Sequence, residues 1–165
     1  EFIVNWLNAH KQHAWLMVPA LAFLEACPGI GLFVSGVILL SVSTVLYTEH
    51  LLTLPQILSL AFLGALMSDH LGFYAGRWFG GELRKTKIAI RHQSKINKSE
   101  AFILKYGALS VVAGRLMTAI RSLIPMTVGA SGTDRLTFTL ADIAACFIWT
   151  AGLGLLVVGL NNVFS

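Results

Sequence analysis

The chain has 165 residues, of which 56% are hydrophobic and only 12% charged, and its mean hydropathy is +0.74. That composition is too apolar for an ordinary soluble domain and too poor in charge for a disordered chain, so the bilayer is its natural solvent. The net charge of +4 lies mostly in one basic segment that carries no nucleic-acid motif, so nucleic acid is not an expected partner.

In chain order, residues 1–13 mix Phe2, Ile3, Trp6 and Leu7 with Asn5, Asn8, His10, Lys11 and His13, a stretch too short to cross that reads as an interfacial helix. Residues 14–48 hold one acid, Glu25, in an apolar run. As a single helix that run would span about 50 Å against a hydrocarbon core of about 30 Å, so it must double back. The break is expected at Pro28 and Gly29, where proline removes a backbone donor and glycine permits a sharp turn. Residues 14–48 are therefore expected to form a re-entrant hairpin, which demands protein or a water-filled cavity around its non-helical backbone.

Residues 54–80 read as a spanning helix, opened by Thr53 and Pro55, carrying Asp69 inside and ended by Gly80 and Gly81. Gly72 and Gly76 are spaced to let a second helix approach closely. Residues 82–105 are polar and basic, with Arg84, Lys85, Lys87, Arg91, Lys95, Lys98 and Lys105, and read as cytoplasmic amphipathic helices at the headgroups. Residues 106–133 return to apolar sequence, carry Arg115 and Arg121, and are expected to form a second re-entrant hairpin broken at Pro125 and Gly129. Residues 136–160 give a second span with Asp142 near its start and Trp149 inside, and Gly152, Gly154 and Gly159 suit close helix packing.

Each half thus has a broken hairpin followed by a long helix bearing an acid. The expected fold is an all-α membrane protein of one domain, residues 1–165, built as an inverted repeat of re-entrant hairpin plus transmembrane helix, with interfacial amphipathic helices. The placement of a pair of Pro/Gly-interrupted segments points to a transporter's binding site between the halves.

Four charges inside apolar segments would cost roughly 10 to 14 kcal/mol if left unpaired. Glu25 and Asp69 balance Arg115 and Arg121 in number, so ion pairs between the halves are expected. A purely structural role, holding the halves together, is one reading; the other is functional. An arginine guanidinium offers two parallel hydrogen bonds to a phosphate, and a desolvated carboxyl can alternate between protonated and charged forms as protons enter and leave. Arg115 and Arg121 are therefore candidate phosphate ligands, and Glu25 and Asp69 candidate proton carriers. Arg77, near the end of its helix, is expected to reach the headgroups.

Catalytic chemistry has little support. Asp69, His70 and Glu25 lack any HExxH or carboxylate-rich pattern, so no metal is expected, and no GxSxG elbow suggests a hydrolase. Cys27 and Cys146 have no CxxC partner and read as small buried residues. No catalytic residue and no cofactor are expected, and the chain is not expected to be an enzyme.

The runs FLEACPGIG, GALMSDHLGFYAGRWFG, the Lys105-Tyr-Gly107 triplet and GRLMTAIRSLIPMTVGASG resemble, in order and over nearly the whole chain, the signatures of the DedA family, also called SNARE-associated or VTT-domain proteins. Departures are Ser68 where glycine usually precedes the acid, the missing proline between Arg115 and Arg121, and the missing second acid after Pro28. The resemblance implies that Glu25 and Asp69 are the family's essential acids and that Arg115 and Arg121 are its essential arginines; Asp142, Tyr74 and Arg77 are secondary candidates beside them. It also implies a multi-pass protein of the bacterial inner membrane whose partners are a lipid substrate and protons, and it admits a homo-oligomer. The implied activity is proton-motive-force-dependent flipping of undecaprenyl phosphate or a related phosphate-headed lipid; energy-independent scrambling of phospholipids such as phosphatidylethanolamine, and a non-transporting scaffold, are the alternatives.

Overall fold

The computed structural model describes residues 13–28, 30–33, 35–83, 85, 87–107, 109–116 and 121–164. All regular structure among them is helical. A 3-10 turn, Ala14–Leu16, leads into α1 (Met17–Ala26), and a second, Ile30–Leu32, precedes α2 (Gly36–Thr48). The long α3 (Leu54–Leu83) is followed by α4 (Lys87–Arg91), α5 (Gln93–Tyr106) and α6 (Leu109–Leu116). A third 3-10 turn, Arg121–Leu123, opens onto α7 (Ile124–Ala130), and α8 (Arg135–Phe164) completes the chain. The interfacial helix expected over residues 1–13 falls, but for its last residue, outside the described residues.

Local chemistry accounts for the boundaries. Ser35 caps α2 by accepting from the Val37 N–H at 3.3 Å. At the start of α3 the Gln56 side chain reaches back to accept from the Thr53 N–H at 2.9 Å, half of a capping box, and Pro55 occupies the first turn where its missing N–H costs nothing. Asp134 caps α8, accepting from the Leu136 and Thr137 N–H groups at 3.0 and 3.2 Å. The preceding turn passes through Gly132 at φ +81, which only glycine adopts freely.

Helices α3 and α8 each have 30 residues, about 45 Å at 1.5 Å per residue, and they run antiparallel: Leu58 packs on Gly154, and His70 reaches Thr139. Two broken hairpins lie along α3 from opposite ends. In the first, α1 advances beside α3, with Pro19 at Gly64 and Pro28 at Gly72, before the chain returns along α2. In the second, α7 starts where the first stops, with Pro125 also at Gly72, and continues past Gly76 to place Ala130 at Gly80. The glycine spacing seen in the sequence thus has its reason: Gly76 lies directly on the Met126 backbone, and Gly129 of α7 on the Phe73 carbonyl.

Three expectations change. Pro125 and Gly129 do not break the second hairpin. Pro125 stands in the first turn of α7, where proline is preorganised for a helix, and Gly129 is a contact point inside that helix. Residues 117–120, ahead of the 3-10 turn at Arg121, and Gly29 of the first hairpin are outside the described residues. Gly80 and Gly81 do not end α3, which runs on to Leu83, since two glycines cost only about 2 kcal/mol against a helix this long. Among the described residues Gly152 and Gly159 are not helix contacts either: a Cβ at either would meet none of them within 4 Å, and of the three Gly154 packs closely.

The surface of the two long helices is apolar where that of a soluble protein would be polar. The outer face of α3 shows Leu63, Met67 and Leu71 at 52–66% exposure, and that of α8 shows Leu136, Leu140, Ile143 and Phe147, both at helical spacing. Meanwhile Glu25, Ser68, Asp69, Asp142 and Thr150 are all buried. Such continuous apolar stripes would aggregate in water and are satisfied by lipid. Inside, one apolar cluster gathers Val18, Leu39, Leu46, Ile57 and Val157 around the first hairpin, and another gathers Phe73, Val111, Ile124, Val128 and Phe138 around the second. Phe73 and Phe138 stack at 4.2 Å between ring centroids.

Gly129→Ala should lower the thermal midpoint by several degrees, since the added Cβ meets backbone and overpacking costs about 1–3 kcal/mol, whereas Gly81→Ala, with open space, should leave it unchanged or raise it. Asp134 gives a pH test. The Thr137 N–H, foremost among its partners, holds its carboxyl below the ordinary value of 3.8. A carboxyl lowered in the folded state stabilises above its unfolded pKa and loses that contribution as pH falls through the folded one. The gap in thermal midpoint between wild type and Asp134→Ala should be full at neutral pH and shrink once pH drops below the ordinary carboxyl value.

Candidate functional site where two hairpins meet

The turns of the two hairpins touch at Glu25 and Arg121, 96 positions apart in sequence. Glu25 lies in the last turn of α1, and Arg121 opens the 3-10 turn before α7. Arg121 donates from Nη1 to the Glu25 Oε1 at 2.6 Å and from Nη2 to the Glu25 main-chain carbonyl at 3.2 Å. The second bond puts a cation on the negative end of α1 and satisfies a terminal carbonyl that a helix end leaves free. Side-chain exposure is 3% for Glu25 and 14% for Arg121, so the pair is almost wholly withdrawn from the surroundings. The Arg121 guanidinium also stands 6.0 Å from the centroid of the Trp149 ring of α8.

Two glycines make this approach feasible. A side chain at Gly31 would strike the Glu25 carbonyl and crowd Ser122, and one at Gly36 would come within 2.7 Å of Glu25 Oε1. The other carboxylate oxygen, Oε2, has no hydrogen-bond partner among the described residues. Glu25 and Arg121 form one end of a cavity of about 640 Å³ between α2 and α8, whose remaining walls are apolar apart from Ser35.

A second polar group lies between α3 and α8. Asp69 and Asp142 are buried, and Cys146 Sγ sits 3.9 Å from Asp69 Oδ2 and 3.8 Å from Asp142 Oδ1. The three donor atoms lie within 4.8 Å of one another, and of the described residues these are the ones that could hold a cation. His70 connects the group to the outside: Nδ1 is 3.4 Å from Asp142 Oδ2 and Nε2 is 3.2 Å from Thr139 Oγ1, with about a quarter of the side chain exposed.

Of the four charges singled out in the sequence, Glu25 and Arg121 are thus brought together, and Asp69 joins Asp142, until then a secondary position. Arg115 belongs to α6, but its side chain is outside the described residues. Tyr74 sits apart, edge-on to Phe73 and beneath the Arg135 guanidinium. Arg77 donates to the Thr133 carbonyl at 3.0 Å and so fastens the turn between α7 and α8. Cys146, read in the sequence as a small buried residue, is buried beside Asp142, four residues away on one helix face; the contacts of His70 with Asp142 and of Trp149 with Arg121 run between elements and have no signal in the sequence.

Removing one partner of a buried pair leaves the other uncompensated, so Arg121→Ala should cost about 3–5 kcal/mol of stability. The Glu25→Ala, Arg121→Ala double variant should recover part of that loss, read from thermal unfolding of the purified protein.

Comparison with known proteins places the chain among membrane proteins. The VTT domain family matches residues 28–158. An uncharacterised membrane protein of Buchnera aphidicola is 25% identical over 150 residues, covering 90% of this chain and 58% of that protein. The inner membrane protein YabI of Escherichia coli is 23% identical over 145 residues, 88% of this chain and 57% of its own length. The inner membrane protein YohD of the same organism is 30% identical over 101 residues, 61% of this chain and 52% of its own. The chain therefore spans under three fifths of the length of these relatives. No solved structure matches it. With the family match extending from the first hairpin into α8, the chain belongs to the VTT-domain, or DedA, family of membrane proteins.

Proposed function

We propose that this chain is a carrier, not an enzyme, that moves a phosphate-headed lipid across the bacterial inner membrane as a multi-pass protein, with undecaprenyl phosphate or a close relative as the cargo and the proton motive force as the drive. The observation that carries this reading is the Glu25–Arg121 pair at the polar end of an otherwise apolar cavity. In the bilayer the two hairpins are re-entrant and their turns meet near mid-depth, where no lipid headgroup can rest without a protein partner.

Arg121 is an anion site already occupied by an internal anion. While Glu25 is charged, a phosphate must displace it. When Glu25 takes a proton, the ion pair dissolves and the guanidinium can turn its two parallel donors to the phosphate. Proton and phosphate thus enter together and leave together, because Arg121 can satisfy one anion at a time. Asp69 and Asp142, with His70 leading outward, supply a second place where a proton can reside between α3 and α8.

The test is transfer of labelled undecaprenyl phosphate and of phosphatidylethanolamine in proteoliposomes, with and without a proton gradient. Gradient-stimulated transfer of the phosphate lipid, abolished in Arg121→Ala, is the expected result. Glu25→Gln, which mimics the protonated acid, should bind the phosphate lipid roughly tenfold more tightly, because the competing internal anion is gone, and should lose gradient stimulation. Equal transfer of both lipids without a gradient would identify a scramblase; no transfer of either would leave a scaffold.

A further inference from the structure

The cavity that begins at the ion pair continues as a groove, and its shape bears on what the carrier holds besides a headgroup. The floor is Leu39 of α2 and Leu153 of α8, buried at 1% and 6% exposure. The rim is open: Val37, Ile148 and Leu156 are 65%, 49% and 56% exposed, and all three are apolar. From Trp149, beside Arg121, to Leu156 the groove follows α8 for seven residues, about 10 Å, toward the end of α8 that packs on the start of α3.

Gly152 lies midway along it. Glycine destabilises a helix interior relative to alanine, so it needs a reason to be there. No neighbour among the described residues provides one: a Cβ at Gly152 would meet none of them within 4 Å, in contrast to Gly154, whose Cβ would touch Leu58. What the missing side chain leaves is space in the groove itself. A site with an arginine at one end, an apolar trough leading from it, and a side open to lipid has the polarity of a single lipid molecule, headgroup first.

Resting on the phosphate reading of Arg121, we propose that the groove between α2 and α8 seats the first stretch of the cargo's hydrocarbon chain, and that Gly152 and Val37, on its opposite walls, set which chains fit. In a bilayer the chain gains nothing from leaving water, since the alternative is lipid. The groove therefore acts by shape and close packing, rejecting bulky or doubly chained neighbours at the headgroup and admitting a single extended chain.

The experiment uses a hexadecyl phosphate bearing a diazirine in its chain, and the matching hexadecanol, each incorporated with the protein into phosphatidylcholine nanodiscs, irradiated and mapped by peptide mass spectrometry. The phosphate probe should mark Val37, Ile148 and Leu156 about tenfold more than the alcohol does. Gly152→Leu and Val37→Trp should each cut that labelling roughly tenfold by filling the trough. Gly159→Leu, equally open and on the same helix but outside the groove, should change nothing. Labelling that prefers the phosphate and is lost in Arg121→Gln, yet maps elsewhere or ignores both groove variants, would overturn the groove while leaving the phosphate reading in place. Equal labelling by phosphate and alcohol would overturn both.

Discussion

A helix that ends inside the protein must find partners for its terminal carbonyls, and the Arg121 guanidinium meets that demand for α1. One fork takes the Glu25 carboxylate and the other takes the carbonyl at the end of α1. The same two bonds tie the first hairpin to the second, so the tertiary arrangement of the halves and the satisfaction of a helix end are one event. Gly31 and Gly36 follow from this, because both are the size they are to let the turn close over Glu25.

Around that contact the molecule is layered along α3. An apolar cluster fills the space beside the start of α3 and another beside its end, while Asp69, Ser68 and the Glu25–Arg121 pair lie between. Apolar clusters inside and apolar stripes outside leave the polar layer nowhere to be hydrated except through its cavity and His70. In the carrier we propose, this arrangement holds ionisable groups at a depth the bilayer by itself disfavours, and an arginine shared by a fixed acid and a mobile phosphate would link occupancy of the site to protonation.

On the proposed reading the groove adds a second kind of selectivity to the first: charge would choose the headgroup at Arg121, and shape, through the gap left at Gly152, would choose the chain. Both operate on the same face between α2 and α8, which is open to lipid along the rim formed by Val37, Ile148 and Leu156.

Much of this was legible in the residues alone. Length and hydropathy determined that two stretches are long enough to span and that residues 14–48 must double back, because these are statements about rise per residue and transfer of charge that hold for any neighbours; that the basic run between the halves lays Phe102 and Ile103 on the second apolar cluster was a matter of packing. Capping chemistry located the start of α3. What only the tertiary structure decided is which acid meets which arginine, because that depends on two turns 96 residues apart arriving at one level of α3. It also decided that Pro125 opens a helix when Pro28 follows the end of one, and that Gly76 and Gly129 are contacts where Gly152 is an empty place. A glycine in a sequence states the absence of a side chain; whether a neighbour or a ligand fills that absence is a property of the packed molecule.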